Sequence, residues 1–392
     1  MQRPFELAAR QIHDDRETCA WMPVLYEQKR QRLRASPHAF LRGTPRLFFQ
    51  VLAEDPWLAE GPPGEGTIVG DMHLENVGAY RTDDDRVVFD LNDFDEAQPG
   101  PWRIDVLRAA TSVVLAIHAF DTSHELAVDA ALALLRGHRD ALFDGLGGDP
   151  EALLPAPMKR FLESVRGRSK QALLDARAPR QAGSRHFLRG ERYVDLPPWL
   201  AAQVPALLAE YRRVLGPRAP VHAAEWEIED AAQRIAGNGS LGTVRIALIV
   251  RESSGNERIV ELKQARPSVV EAIVGQADPR PPARRVVESA QALVAGPPRM
   301  LAALERVPDD LSLTGRQLFP QEDKLLLQEV RSAKLSEVAG AVGRILGAAH
   351  ARAATKAVFR WSERDLDEIL VRAVALTGIF EAAHLAHLRL TD

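Results

Sequence analysis

The sequence predicts an α+β fold, and three observations carry that prediction. Apolar residues recur at helical spacing through residues 1–60, through 102–216, and again from Leu335 onwards. Short strand-like runs bounded by turn residues occur at 66–91 and 243–265. The composition, 46% apolar and 27% charged, is that of an ordinary globular chain, and 392 residues suffice for two to three domains.

The elements follow in order. Residues 1–65 form an N-terminal helical segment, broken at Ser36-Pro37 because the residue before proline leaves the α region. GPPGEG at 61–66 is a turn, and TIVGD after it reads as a strand running into a loop. VGAY (77–80) and RVVFDL (86–91) read as two strands joined by a turn at Asp83, Asp84 and Asp85. A mainly helical part then completes 66–218, interrupted by an irregular basic stretch at 185–198. Residues 219–333 form a β-rich part: a hairpin at 243–265 turning on Ser-Ser-Gly-Asn, a helix at 283–295, and a further strand, KLLLQEV, at 324–330. Helices return in 334–392.

Charge and cysteine content exclude several function classes. With 50 Lys+Arg against 54 Asp+Glu the net charge is −4, so the chain as a whole has no electrostatic case for nucleic acid or an anionic membrane. No uninterrupted apolar run reaches ~18 residues, so no membrane span is expected. The first residues lack an apolar signal core. A single cysteine, Cys19, rules out internal disulfides and multi-cysteine metal sites. The expected location is cytoplasmic.

Four strings carry chemistry. Gly237-Asn238-Gly239-Ser240-Leu241-Gly242 is a G-x-G-x-x-G string, whose glycines permit tight turns and close approach of backbone N–H groups to phosphates. A Rossmann fingerprint would follow a strand and open a helix. Here a hairpin follows and no suitable strand is evident before it, which is the setting of a kinase-type glycine loop. Lys263, ending the next strand in VELK, is placed to hold nucleotide phosphates. A helical glutamate should pair with it: Glu288 is the choice, with Glu271 as runner-up. In GDMHLEN, Asp71 and Asn76 have the D-x-x-x-x-N spacing that puts a proton acceptor and a metal-binding amide on one loop, with His73 ordering it. Finally, Asp90, Asp93, Asp95 and Glu96 fall within FDLNDFDE, where interleaved apolar residues ask for burial; carboxylates there suit Mg²⁺ completed by substrate phosphates.

These strings resemble known families. GDMHLENVG resembles the G-D-x-H-x-x-N loop of aminoglycoside-phosphotransferase-like and choline-kinase-like enzymes. DFDEAQPGPWRIDVL resembles their metal segment, in which Asp-Phe is followed at +12 by a second Asp; on that register Asp93 binds metal and Asp105 braces the catalytic loop, with Asp90 and Asp95 as alternatives. SPHAFLRGT (which contains Arg42), GDMHLENVG and FDLNDFDEA also resemble an uncharacterised bacterial family, domain-of-unknown-function family 2252. The resemblance implies a protein-kinase-like two-lobe fold, but with the catalytic loop ahead of the glycine loop. GRILGAAHARA (343–353) resembles the helix that normally leads into the catalytic loop. The implied arrangement is a circular permutation, C-lobe first and N-lobe second. The family's His or Arg before Gly-Asp is replaced by Val69.

The implied activity is an ATP- and Mg²⁺-dependent phosphotransferase. Asp71 would serve the acceptor hydroxyl, Asn76 and Asp93 the metal, and Lys263 with the 237–242 backbone, Ser240 included, the phosphates. A nucleotide-binding pseudokinase and an AMP transferase use the same residues and stay open. Arg42 and the Arg185, Arg189, Arg192 cluster offer either an anionic-acceptor site or a solvated basic face.

Overall fold

The computed structural model describes residues 2–391 apart from 119–122, 221–222, 309–310, 327–328 and 357–358. The chain opens with helices α1 (Gln2–Cys19), α2 (Pro23–Arg34), α3 (Pro37–Gly43), α4 (Pro45–Glu54) and the one-turn α5 (Pro56–Ala59). Proline begins α2 through α5, where its missing N–H would have no helical partner anyway. Ser36 caps α3, its Oγ accepting from Ala39 N at 3.0 Å.

Next come β1 (Glu65–Ile68), β2 (Val77–Arg81), β3 (Val87–Leu91) and β4 (Gln98–Pro101). They form two antiparallel pairs, β1 with β4 and β2 with β3. Asp85 turns the second pair at φ 67°. Helices α6 (Trp102–His118), α7 (His124–Asp144), α8 (Ala156–Arg166) and α9 (Lys170–Arg177) follow. Short strands β5 (Arg180–Gln181), β6 (Ser184–Arg185) and β7 (Tyr193–Val194) run through the irregular stretch, before α10 (Pro198–Ala201) and α11 (Val204–Leu215).

The β-rich part contains β8 (Glu227–Arg234), β9 (Arg245–Arg251), β10 (Glu257–Gln264), α12 (Glu271–Val274), α13 (Pro282–Leu293), β11 (Ala302–Leu304) and β12 (Leu313–Leu318). Its sheet is antiparallel in the order β11-β12-β10-β9-β8-β7. Strand alternation splits the sheet into two faces. Ile246, Leu248, Val260 and Leu262 pack under Leu207, Leu208 and Tyr211 of α11. The opposite face is apolar at one end, where Ala247, Ile249 and Ile259 meet Phe187 and Tyr193. At the other end it carries Arg245, Glu261 and Lys263.

The chain closes with α14 (Leu335–Arg352) and α15 (Glu363–Leu390), which complete the core of α3, α4, α6 and α7. A Cβ on Gly343 would overlap the Leu134 carbonyl, so glycine lets α14 lie directly on α7. The end of α14 meets the start of β1: Thr67 N donates to Ala353 O at 3.2 Å and Thr355 N to Glu65 O at 3.1 Å.

Three expectations need correction. A strand, β8, does precede the glycine string, which therefore joins two antiparallel strands. The strand expected at 324–330 is not formed in its described residues, and 327–328 lie outside them. There Leu325 is buried in the helical core and Asp323 makes only a single bridge to Ala79, so the apolar run serves a crossing segment. Lastly, α15 is long and apolar enough, by length and composition, to cross a membrane. Its Leu366, Ile369, Leu376 and Phe380 are buried in the helical core, and it packs on α1 and α6.

Candidate active site

Four segments meet in one cleft: the loop between β1 and β2, the acidic loop between β3 and β4, the glycine string, and the end of β10. The first is held from below. Asp105, in the first turn of α6, accepts from Val69 N at 2.6 Å and Gly70 N at 2.8 Å. His350 of α14 donates from Nε2 to Asp105 at 3.1 Å, and its Nδ1 accepts from His138 Nε2 at 2.9 Å. That chain of bonds fixes both imidazole tautomers. His138 and His350 thus latch the loop through Asp105.

Asp71 follows Gly70, whose φ of 79° turns the chain there. Its carboxylate accepts from Arg108, with Nε at 2.8 Å, and Asn76 Nδ2 donates to its backbone carbonyl at 2.6 Å. Burial pushes the Asp71 carboxyl up to about 6, against the pull of Arg108. Arg108 is fully buried within α6 and lies 4.6 Å from the centre of the Phe48 ring. Arg108, from the second turn of α6, is thus the cation that faces the Asp71 carboxylate. A lone arginine inside the apolar run IDVLRAATSVV was the signal, because such a charge needs a buried partner.

His73 is buried and its ring accepts from Glu75 N at 3.2 Å, so it shapes the loop. Glu75 pairs with Arg42 at 2.7 Å and Lys324 at 2.9 Å.

Across the cleft, Lys263 Nζ lies against Asp95 and 3.7 Å from Asp93. The two carboxyls titrate in opposite directions. Burial alone would raise both, but Lys263 and Arg245 hold Asp93 low, while burial and the Asp93 charge push Asp95 up. Asp90 lines neither chamber of the cleft; it faces Arg352 at 4.0 Å, and burial raises it to about 6.

Glu288 does not pair with Lys263. It is engaged by Arg280 at 3.1 Å and Arg284 at 3.2 Å on the outer side of α13. Helical phase is the reason: the buried face of α13 carries Arg285 and Ser289, with Glu288 turned away from it. Arg285 donates to the carbonyls of Asp95 at 2.7 Å and Arg266 at 2.8 Å, and so pins the acidic loop to the sheet part. The runner-up, Glu271, opens the one-turn α12 and lines neither chamber.

Gly237, Gly239 and Ser240 line the cleft; Gly242 does not. At φ 98°, a Cβ on Gly242 would collide with Thr18 and Cys19 of α1, so that glycine serves packing against the N-terminal helices. Trp21 Nε1 donates to its carbonyl at 2.7 Å.

Asn76, Asp93, Asp95, Gly237 and Lys324 line both of two chambers and lie between them. The smaller, of about 160 Å³, holds Asp71 and His73 beneath Asp14, Asp15 and Lys29 of α1 and α2. The larger, of about 560 Å³, lies under the sheet. Among the described residues no group of three or more His, Cys, Asp or Glu side chains could hold a metal ion. Mg²⁺ needs only one or two carboxylates when phosphates complete its shell, and the oxygen donors of Asp93, Asp95 and Asn76 fit that demand.

The model of a family described as "Uncharacterized protein conserved in bacteria (DUF2252)" matches residues 21–383. No curated protein and no solved structure matches the chain.

Proposed function

The chain belongs to the DUF2252 family, and we propose that it is an ATP- and Mg²⁺-dependent phosphotransferase built on a circularly permuted, kinase-like fold. The observation that carries this reading is Lys263, 3.7 Å from Asp93 beside a glycine connection between antiparallel strands, with Asp71 and Asn76 on the facing loop. Strand, glycine loop, strand and lysine strand followed by a helix is the phosphate-holding arrangement of kinases. The seam between Ala353 and Thr67 supports the permutation, because the helix that would lead into the catalytic loop ends beside the strand that enters it.

In this reading Lys263 and the 237–240 backbone hold the phosphates. Asp71 orients the acceptor hydroxyl and takes its proton, and a carboxyl titrating at about 6 is ionised yet basic enough for that at neutral pH. Asn76 and Asp93 would hold Mg²⁺, with Asp95 released from Lys263 to assist; the ion would offset charge on the phosphoryl oxygens. The N-terminal helices roof the Asp71 chamber, which favours a small acceptor or an extended segment over a folded surface.

Thermal unfolding with and without ATP and Mg²⁺ tests the reading, since a ligand that binds only the native state raises its stability. Stabilisation at millimolar ATP, weakened in Lys263→Ala, is expected. A folded protein that shows no shift would overturn it.

A further inference from the structure

The larger chamber is not built like a pocket for an apolar ring. Its sheet wall carries Arg234, Arg245 and Arg316, three guanidinium groups converging on the one buried carboxylate of Glu261. Arg234 contacts that carboxylate, Arg316 reaches it at 3.1 Å, and Arg245 stands 3.9 Å away. Glu322 adds a second acid to Arg316 at 3.4 Å. Around Glu261 and Glu322 the three arginines outnumber the acids by one, while Asp93 and Asp95, which also line the chamber, face Lys263. Arg245 is only 7% exposed, and its Nε has no hydrogen-bond partner among the described residues; the same is true of Arg234 Nε. At the chamber mouth stand Arg32 and Arg192, neither of which has a carboxylate partner among the described residues. Arg32 is held below the usual arginine range by burial and then by the charges of Arg245, Arg192 and Arg42. Of the basic cluster read in the sequence, Arg185 is bound to Glu257 and Asp175, and Arg189 to Asp230 and Asp195. Arg192 is the member that faces the cleft.

We infer that this chamber is a subsite for an oligophosphate group, two or more linked phosphoryl units held by Arg234, Arg245 and Arg316 with Arg32 and Arg192 at its mouth. Guanidinium forks match phosphate oxygens in pairs, and a multiply charged anion neutralises several of them at once. The subsite goes beyond the phosphotransferase reading, because occupying it requires neither turnover nor metal. Such a group has two sources. One is a phosphorylated acceptor. The other is the tail of the nucleotide itself, lying with its base outward. In that pose the acceptor oxygen bonds to the α-phosphorus, the bond from that phosphorus to the bridging oxygen breaks, pyrophosphate leaves with the electron pair, and the acceptor proton passes to Asp71.

The test is calorimetric titration of the whole protein with inorganic tripolyphosphate in the presence of EDTA, with orthophosphate alongside. Tripolyphosphate is expected to bind about tenfold or more tighter than orthophosphate. The double variant Arg32→Gln/Arg192→Gln breaks no ion pair, only the bond from Arg32 to the Gly237 carbonyl, and should weaken it about tenfold, and Arg316→Gln at least as much. Absence of tripolyphosphate binding, or binding unchanged in the double variant, overturns the subsite. Competition then identifies the source. If ATP displaces tripolyphosphate and adenosine does not, the nucleotide tail is the occupant; if ATP with Mg²⁺ binds alongside it, a phosphorylated acceptor is. Should tripolyphosphate bind while ATP with Mg²⁺ does not, the phosphotransferase reading fails and the subsite stands.

Discussion

The two walls of the cleft use charge in opposite ways. On the helical wall each acid has its own base: Asp71 takes Arg108, Asp105 takes His350, and Glu75 takes Arg42 and Lys324. On the sheet wall one carboxylate, Glu261, serves three arginines. A wall whose acids each have a partner in place is set in its geometry before any ligand arrives. A wall with surplus cations is completed by an anion from outside. Lys263 stands where the two meet, and it leans on the acids of the helical side.

The largest effect should come from the matched wall. Asp71→Asn keeps the shape of the loop but removes the proton acceptor, so turnover should fall roughly a hundredfold or more with ATP affinity nearly unchanged. In the parent protein turnover should also decline as pH drops through about 6, because protonation disables the same carboxylate. Single-turnover rates beside calorimetry would check both. Loss of ATP binding in Asp71→Asn would mean that the two walls are not separate in role.

Removing a brace tests the same wall through stability. Asp105→Ala leaves two loop amides and a buried imidazole without their acceptor. A loss of roughly 3 kcal/mol or more is expected in urea unfolding. A loss under about 1 kcal/mol would show that the loop holds itself without the latch.

The unmatched wall should respond differently to the same kind of change. Glu261→Gln removes a negative charge from among the arginines. Tripolyphosphate binding should tighten a few-fold while the melting temperature falls, because Arg234 and Arg316 lose an ionised partner. Weaker anion binding would show that Glu261 aims the arginines rather than competing with the ligand. The smallest effect belongs to Glu288→Ala. With only the contacts of a half-buried and an exposed arginine to lose, stability should change by less than about 0.5 kcal/mol and ATP binding not at all. A large drop in nucleotide affinity would restore Glu288 as the partner of Lys263.

Much of the fold was legible where periodicity was strong. The 243–265 hairpin and the helices around residues 102–144 and 335–390 lie where spacing put them. β8 was not legible, because EIEDAAQR lies half-covered at the cleft and lacks apolar alternation. β11 and β12 are short, and β12 carries Gly315 and Arg316 in its middle. In the site, spacing was informative along one loop or strand, and Asp71, Asn76, Asp93 and Lys263 do line one cleft. Pairings between elements were harder to read. Seeing that α13 turns Arg285 inward and Glu288 outward required its rotation about its axis, which packing decides. Glu261 and Lys263, two apart on one strand, had to share a face, but the arginines awaiting Glu261 come from three other strands.

The latch beneath the Asp71 loop also has a consequence in time. Asp105 and His350 are 245 residues apart. At ~5–20 residues per second, roughly 12–50 s separate their emergence during synthesis. Through that interval the aspartate loop, its hairpin and α6 exist on the nascent chain without the imidazole that secures them. A ribosome stalled between α6 and α14 therefore carries the loop without its latch.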